Sequence, residues 1–397
     1  MIYFNTAPIS QFSLYMLTNS EQQSSCLCYF HFILQVSATM EVGGKKPDKD
    51  LPNSSDQWVP DCHPCSTDGE QNPAEGYCQT CRDYLCMTCY KAHIIPKQLR
   101  HHVLLDKTKM PNTTSYMLST LDFKTANVTL LPNIDFCCPG DKKQPCISGL
   151  TFLHPDTLLA VDCTNNTLKA ISTTTNSITS QLPLTSRPWD ITLLQGDQAA
   201  VTLPREKKIQ LISTKGPLSS VRFISVSGEC RGICSLDSDL VVTYISAGQI
   251  EIMDIKGTII NTITTDNNGK SMFSDPHYIT VVREKSGEMI YVSDWDTRSI
   301  TKLSVKGELL STYNHKNRSR INGLTCVGEG QVLVCNYGGD TVDVVSDDGK
   351  DIVTLLDSTH GIKEPRALCY CPSQATLYVS SNISGTPISV FKLSKTS

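Results

Sequence analysis

The sequence predicts a mainly β protein: a small metal-clasped finger followed by a six-bladed β-propeller. Two observations carry this reading. Three Cys-x-x-Cys pairs, Cys62/Cys65, Cys78/Cys81 and Cys86/Cys89, stand close together and are trailed by His93, His101 and His102. Further on, a two-residue signature ending in Leu or Ile recurs at Gly149-Leu150, Asp190-Ile191, Gly232-Ile233, Tyr278-Ile279, Gly323-Leu324 and Ala367-Leu368, with neighbours 41 to 46 residues apart. That period falls in the range of propeller blades.

The first stretch resists a structural assignment. Residues 1–39 hold no Lys or Arg, and the apolar run from Cys26 to Val36 is interrupted by His31 and Gln35. A secretory signal needs a basic start and a cleaner apolar core, and a membrane span needs about twenty apolar residues. Neither pattern is present, and Met40 offers an alternative start. Residues 1–57 are expected to be disordered or a mispredicted extension, and no membrane contact is expected.

Residues 58–106 read as the finger. Thiolate sulfur and neutral imidazole nitrogen are the ligands zinc prefers in tetrahedral sites. A two-residue gap lets both sulfurs of a pair reach one ion from a tight turn. Cys62, Cys65, Cys78, Cys81, Cys86, Cys89 and His93, with His101 or His102, make eight ligands, enough for two closed zinc sites. Closed sites hold structure together and leave no position for a reacting water.

Residues 107–122 read as a linker, and residues 123–397 as the propeller. In the fourth unit, strand-length apolar stretches fall at Tyr278–Val282, Met289–Ser293, Ile300–Val305 and Leu309–Tyr313, separated by turns such as Lys306-Gly307. A four-stranded unit cannot bury both faces alone, so stacking around an axis is required. The last unit has room for only three strands, ending at Ile388–Leu393. An open ring would leave an exposed edge. The stretch near Phe123–Leu131 is expected to supply the missing outer strand.

One position per unit, just before the signature, should ring the mouth of the central channel: Ser148, Trp189, Arg231, His277, Asn322 and Arg366. Loops within blades add Arg205, Lys207, Lys208, Trp295, Arg298 and Tyr337. Arginine and aromatic groups are what a recognition surface favours. The candidate partner-binding set is Trp189, Arg231, His277, Asn322, Arg366, Trp295, Arg298 and Tyr337.

Composition narrows the function. The chain is 39% hydrophobic and 19% charged, as globular proteins are, with a net charge of −4. Residues 146–397 hold 23 Lys/Arg against 25 Asp/Glu, short of the basic balance that phosphate binding favours. Of 18 cysteines, six lie in the finger, while Cys163, Cys234, Cys326, Cys335, Cys369 and Cys371 sit in apolar runs as reduced core thiols. That usage fits a reducing compartment, so a cytoplasmic location is expected. No Gly-rich phosphate loop, G-x-S-x-G or H-E-x-x-H occurs. His154, His277, His315 and His360 read as loop residues, and Asp190 near the mouth has no acidic counterparts at Gly149, Gly232 or Gly323. Intrinsic catalysis is not expected.

The Cys/His segment resembles the B-box zinc finger of the tripartite-motif (TRIM) family. The Tyr291-Val-Ser-Asp-Trp-Asp-Thr-Arg-Ser-Ile-Thr-Lys-Leu303 stretch, with Pro276 and Ile279 before it, resembles an NHL-type repeat. The resemblance implies cross-braced ligands: Cys62, Cys65, Cys86 and Cys89 on one zinc, and Cys78, Cys81, His93 and His101 on the other. It also implies protein interaction or self-association through the B-box, a client on the propeller, and a role in ubiquitination. Two family elements are missing. Cys26 and Cys28 are the only upstream cysteines, too few for the RING finger that recruits a ubiquitin-conjugating enzyme. Residues 106–145 carry Pro111, Pro132, Pro139 and Pro145 and show no heptads for a coiled coil. An adaptor is therefore expected, with a RING-bearing or B-box partner as one route to ligase function. RNA binding, known among NHL relatives, is not favoured by the charge balance.

Overall fold

In the computed structural model of the chain, residues 62, 72–78, 83–94, 104–106, 121–154, 156–284, 287–314, 319–327, 331–346 and 352–395 are described. The expectations for residues 1–57, for Cys65, Cys81, His101 and His315 lie outside them.

The finger is a three-stranded antiparallel sheet and one short helix. Strand β1 (Gly76–Cys78) lies between β2 (Asp83–Leu85) and β3 (Leu104–Asp106), with Tyr77 opposite both Tyr84 and Leu105. Helix α1 (Met87–Ile94) starts directly after Cys86, whose carbonyl accepts the Tyr90 N–H at 2.8 Å.

The propeller begins with β4 (Asn127–Ile134) and continues as six sheets of four strands. Blade 1 is β5 (Ile147–His154), β6 (Thr157–Asp162), β7 (Thr167–Ser172) and β8 (Ser177–Pro183). Blade 2 is β9 (Ile191–Leu194), β10 (Gln198–Leu203), β11 (Lys208–Ser213) and β12 (Ser219–Ser225). Blade 3 is β13 (Cys230–Leu236), β14 (Asp239–Tyr244), β15 (Gln249–Asp254) and β16 (Ile259–Ile263). Blade 4 is β17 (Pro276–Glu284), β18 (Gly287–Asp294), β19 (Ser299–Ser304) and β20 (Leu309–Asn314). Blade 5 is β21 (Ile321–Cys326), β22 (Val332–Asn336), β23 (Thr341–Val345) and β24 (Ile352–Leu356). Blade 6 is β25 (Pro365–Cys371), β26 (Thr376–Ser381), β27 (Ile388–Ser394) and β4.

The first strand of each blade packs against the first strand of the next, and β25 packs against β5, so the inner ring is closed. The outer closure is the antiparallel pairing of β4 with β27, with Ile134 opposite Ile388 and Asn127 opposite Ser394. This strand starts four residues later than the sequence places it. Phe123 stands in a turn held by the Thr125 N–H on the Asp122 carbonyl. Its ring, with Leu121, is buried between blades 5 and 6 and meets Tyr370 edge-on at 5.2 Å.

Six separate apolar cores result, one between each pair of neighbouring blades. Middle strands are covered on both faces and read as continuous apolar runs, as in β6 and β18. The outermost strand is covered on one face, so β8 alternates exposed with half-buried residues. The turn at Lys256-Gly257 seats against the preceding blade. Gly257 has φ +93°, and a Cβ there would stand 2.6 Å from Ile224 Cγ2.

The inner ring interlocks small with large. A Cβ on Gly149 would lie 3.0 Å from Asp190 Cα, one on Gly232 2.7 Å from Tyr278 Cα, and one on Gly323 2.7 Å from the Arg366 carbonyl oxygen. Every second blade therefore offers glycine where its neighbour offers a side chain. Tyr278 of blade 4 uses the space by reaching the opposite blade, its hydroxyl donating to the Ser148 carbonyl at 2.9 Å. The axis is filled at this level.

Candidate recognition face and metal centre

Five of the six ring positions stand at bulges. Strand register slips at Ile147/Gly149, Cys230/Ile233, Pro276/Tyr278, Ile321/Leu324 and Pro365/Leu368, each time at the mouth end of the innermost strand. A bulge bends the strand and re-aims a side chain. In four blades a hydroxyl on the second strand accepts the freed N–H: Thr202 from Asp190, Thr243 from Gly232, Ser293 from Tyr278 and Ser380 from Ala367, at 2.8 to 3.2 Å. These Ser and Thr residues were missed in the sequence. Their signal is a hydroxyl side chain following each signature inside an otherwise apolar strand.

Six of the eight candidate residues meet in one continuous stack drawn from blades 2 to 6. Arg231 Cζ lies 4.2 Å and Arg366 Cζ 4.9 Å from the centre of the Trp189 ring. His277 meets Trp189 edge-on at 5.4 Å and stacks flat on Trp295 at 5.1 Å. Tyr337 tilts onto Trp295 at 5.3 Å. Arg320, which the sequence reading did not select, covers Trp295 at 4.7 Å. Guanidinium groups over aromatic faces attract through the ring quadrupole, so the stack is cohesive.

Trp295 and Arg298 share a turn set by Asp294. Its carboxylate accepts the Asp296 and Thr297 N–H groups, and also those of Ser274 and Asp275 from the incoming loop. Arg298 sits exposed at φ +57° in that turn. Asn322 is buried in β21. The expectation that His277 occupies a surface loop is corrected: it lies in β17 and is 5% exposed. Arg366, at 4% exposure, is likewise beneath the surface. Packing against Trp189 buries both, so they support the face while Trp189, Trp295, Arg320 and Tyr337 form it.

Charges under the face are tuned by burial. Burial pulls the His277 imidazole below its ordinary value, against the opposing pull of Asp275, whose Oδ2 lies 3.0 Å from His277 Nε2. Arg231 Nη1 meets the same nitrogen. Buried His277 Nδ1 and Trp189 Nε1 have no hydrogen-bond partner among the described residues. Asp190 is buried and accepts the Ile191 and Ile233 N–H groups at 2.9 and 3.2 Å. Burial nevertheless pushes its carboxyl up to about 7. Arg366 has no carboxylate partner among the described residues. Its Nη1 lies 3.2 Å from Cys146 Sγ, 3.4 Å from Cys163 Sγ and 3.2 Å from Asn382 Oδ1.

In the finger, the sulfurs of Cys62, Cys86 and Cys89 lie within 4.8 Å of one another. Zinc–sulfur bonds of about 2.3 Å place tetrahedral sulfurs roughly 3.8 Å apart, so the three fit one ion. Cys62 is held by its N–H on the Asn72 carbonyl at 2.7 Å. Cys86 and Cys89 flank the start of α1, where helix dipole and free N–H groups favour thiolate. Cys78 lies in β1 and His93 in α1.

No protein-family model matches the chain. It is 22% identical to human (Homo sapiens) E3 ubiquitin-protein ligase TRIM56 over 273 residues, which cover 66% of this chain and 35% of that protein. The mouse (Mus musculus) E3 ubiquitin-protein ligase TRIM56 is 22% identical over 258 residues, covering 64% of this chain and 34% of that protein. The chain thus spans about a third of the length of these relatives. Among solved structures, virginiamycin B lyase from Staphylococcus aureus aligns with a TM-score of 0.49 and 14% identity, over 68% of this chain and 89% of that one. The β-propeller domain of Myceliophteria thermophila Cps50 (Swd1) aligns with a TM-score of 0.47 and 16% identity, over 62% and 83%. Neither likeness carries an activity across. The chain is similar to tripartite-motif proteins: over its C-terminal part in sequence, and in joining a cysteine cluster to a six-bladed propeller. Among the described residues no helix is long and apolar enough to cross a membrane.

Proposed function

We propose that the chain is a zinc-braced, cytoplasmic adaptor whose propeller selects a protein client at the channel mouth. The observation that carries this reading is the stack of Trp189, Arg231, His277, Trp295, Tyr337 and Arg366. Five blades contribute to one aromatic and guanidinium surface, the composition of interface hot spots. Tyr278 fills the axis below, so the occupant lies on the mouth. The finger would hold two zinc ions through the eight ligands named above, with Cys65 completing the set of Cys62, Cys86 and Cys89. The metal supplies rigidity, and the chain's own strands and helix present the surface. Quantitative affinity purification with the full chain, beside a Trp295→Ala/Arg320→Ala variant, tests the assignment. Clients should fall at least tenfold in the variant while the melting temperature holds. Unchanged recovery of every client would overturn it.

The name of the human and mouse relatives favours a second reading, a component of a ubiquitin ligase. Autoubiquitination by the purified chain alone would support intrinsic ligase activity. Activity only on adding a RING-bearing partner would support an adaptor role within a ligase. RNA binding is separated by titration at two salt concentrations, since phosphate contacts make affinity fall steeply with salt.

A further inference from the structure

Arg366 poses a problem of charge. A guanidinium cannot shed its proton in a protein, and a buried cation without a counter-charge is costly. The groups facing it are the Cys146 and Cys163 thiols, the Asn382 amide and the Tyr278 hydroxyl. Tyr278 is a poor anion, because burial pushes its phenol further up. A second guanidinium, Arg187 Nη2, lies 3.7 Å from Cys163 Sγ and reaches it from the exposed side of the mouth. Cys163 is thus a thiol placed between two fixed cations.

Cys146 is its neighbour across the sheet. The two cysteines continue the pairing of β5 with β6 one residue beyond Ile147 and Asp162, and the Cys163 N–H donates to the Cys146 carbonyl at 3.0 Å. Both sulfurs contact the same nitrogen of Arg366.

The geometry points to Cys163 and Cys146 as a peroxide-oxidisable dithiol at the channel mouth, with Cys163 as the attacking thiolate and Cys146 as the resolving thiol. The Cys163 sulfur attacks one oxygen of hydrogen peroxide, the O–O bond breaks, and hydroxide leaves to take a proton from solvent. Cys163 is then a sulfenic acid. The Cys146 sulfur attacks it, the S–O bond breaks, and the hydroxyl leaves as water with the Cys146 proton. Each sulfur loses one electron and each peroxide oxygen gains one. Directly opposed cross-strand residues hold Cβ atoms about 4.5–5.5 Å apart, and a disulfide needs about 3.5–4.5 Å. Closure by about an ångström is feasible here because both cysteines stand at strand ends. The thiolate character is supported by the Cys146 hydrogen bond and by Arg366 and Arg187, which lower Cys163 against the opposing effect of burial.

This site shares Arg366 with the stack, but its chemistry does not rest on the client-recognition reading. It is tested on the reduced full chain by peroxide treatment at pH 7, alkylation and peptide mapping. The expected product is a peptide pair linked through Cys146 and Cys163, formed before Cys230, Cys335 or Cys369 reacts. Cys146→Ser should leave a dimedone-reactive sulfenic acid on Cys163. Iodoacetamide should alkylate Cys163 nearly as fast at pH 6 as at pH 8, whereas an ordinary thiol slows about 75-fold. Arg187→Ala changes an exposed residue and should cut the rate about twofold at pH 6 and roughly tenfold at pH 4, a loss of about one pKa unit of thiolate stabilisation. Recovery of Cys146 and Cys163 reduced while other thiols oxidise, or an ordinary pH profile at Cys163, would overturn the assignment.

Discussion

The finger and the propeller hold themselves together by different means. Strands β1, β2 and β3 have three residues each, and the described apolar burial beside them amounts to little more than Ala74 and Leu85. A unit this small cannot offset chain entropy with a core, and the proposed metal ligation would take over. The propeller has six apolar cores and a strand that ties its last blade to its first segment. It carries its polar groups as local exceptions: a filled axis, a stack at the mouth and a buried clasp on blade 1. The difference teaches where each region is vulnerable. On the proposed zinc reading the finger depends on an ion, and the propeller depends on the few charges it encloses.

Removing zinc should separate the two most sharply. Apparent binding free energies of structural zinc are about 10–16 kcal/mol. A chelator should abolish hydrogen-exchange protection in residues 72–106 and leave the propeller protected. Elemental analysis should find two zinc per chain, and Cys62→Ser should retain one. A single zinc in the unsubstituted chain would remove one of the proposed sites.

The clasp on blade 1 is the propeller's counterpart. Lys169 Nζ contacts Asp141 at 2.8 Å, Asp162 at 2.9 Å and the Phe136 carbonyl at 3.0 Å, with no side-chain exposure. Burial disfavours the Asp162 charge, but hydrogen bonds from Asn165 and Lys169 outweigh it and hold the carboxyl below its usual value. Lys169→Ala leaves two enclosed carboxylates unpaired and should cost about 3–5 kcal/mol. Urea unfolding should show the loss in the propeller transition, with zinc content unchanged.

The smallest effect depends on pH. Asp190 titrates near 7 in the fold, against about 3.9 in an unfolded chain. The folded state therefore holds its proton more tightly. This group's favourable contribution is complete below about pH 4 and is lost as pH rises to about 7. Asp190→Asn should stabilise the propeller at pH 8 by about 2–4 kcal/mol and do nothing at pH 3.5. Melting curves at both pH values check the sign. An equal gain at each would mean that the charge is not the cause.

Much of the fold was legible along the chain. All four stretches picked out in the fourth unit are strands in blade 4, although the third continues one residue beyond the end of β19. Covered faces demand apolar residues at regular intervals, and regular intervals can be read without coordinates. The mouth was only half legible. In five of the six blades the residue before the signature stands at a bulge. Its burial depends on neighbours from other blades, so His277 and Arg366 passed for surface groups and Arg320 was overlooked.

By itself, the amino-acid order determined the blade period, the number of blades and the thiol spacing that suits a metal, because each is a local pattern imposed by strand geometry or ligand reach. Only the tertiary structure decided that Tyr278 stops the axis, that two tryptophans and three arginines join one stack, and that Cys146 and Cys163 bracket a buried guanidinium. Those contacts join residues distant in sequence, and they exist only once ring closure has brought blade 6 against blade 1 and opposite blades within reach.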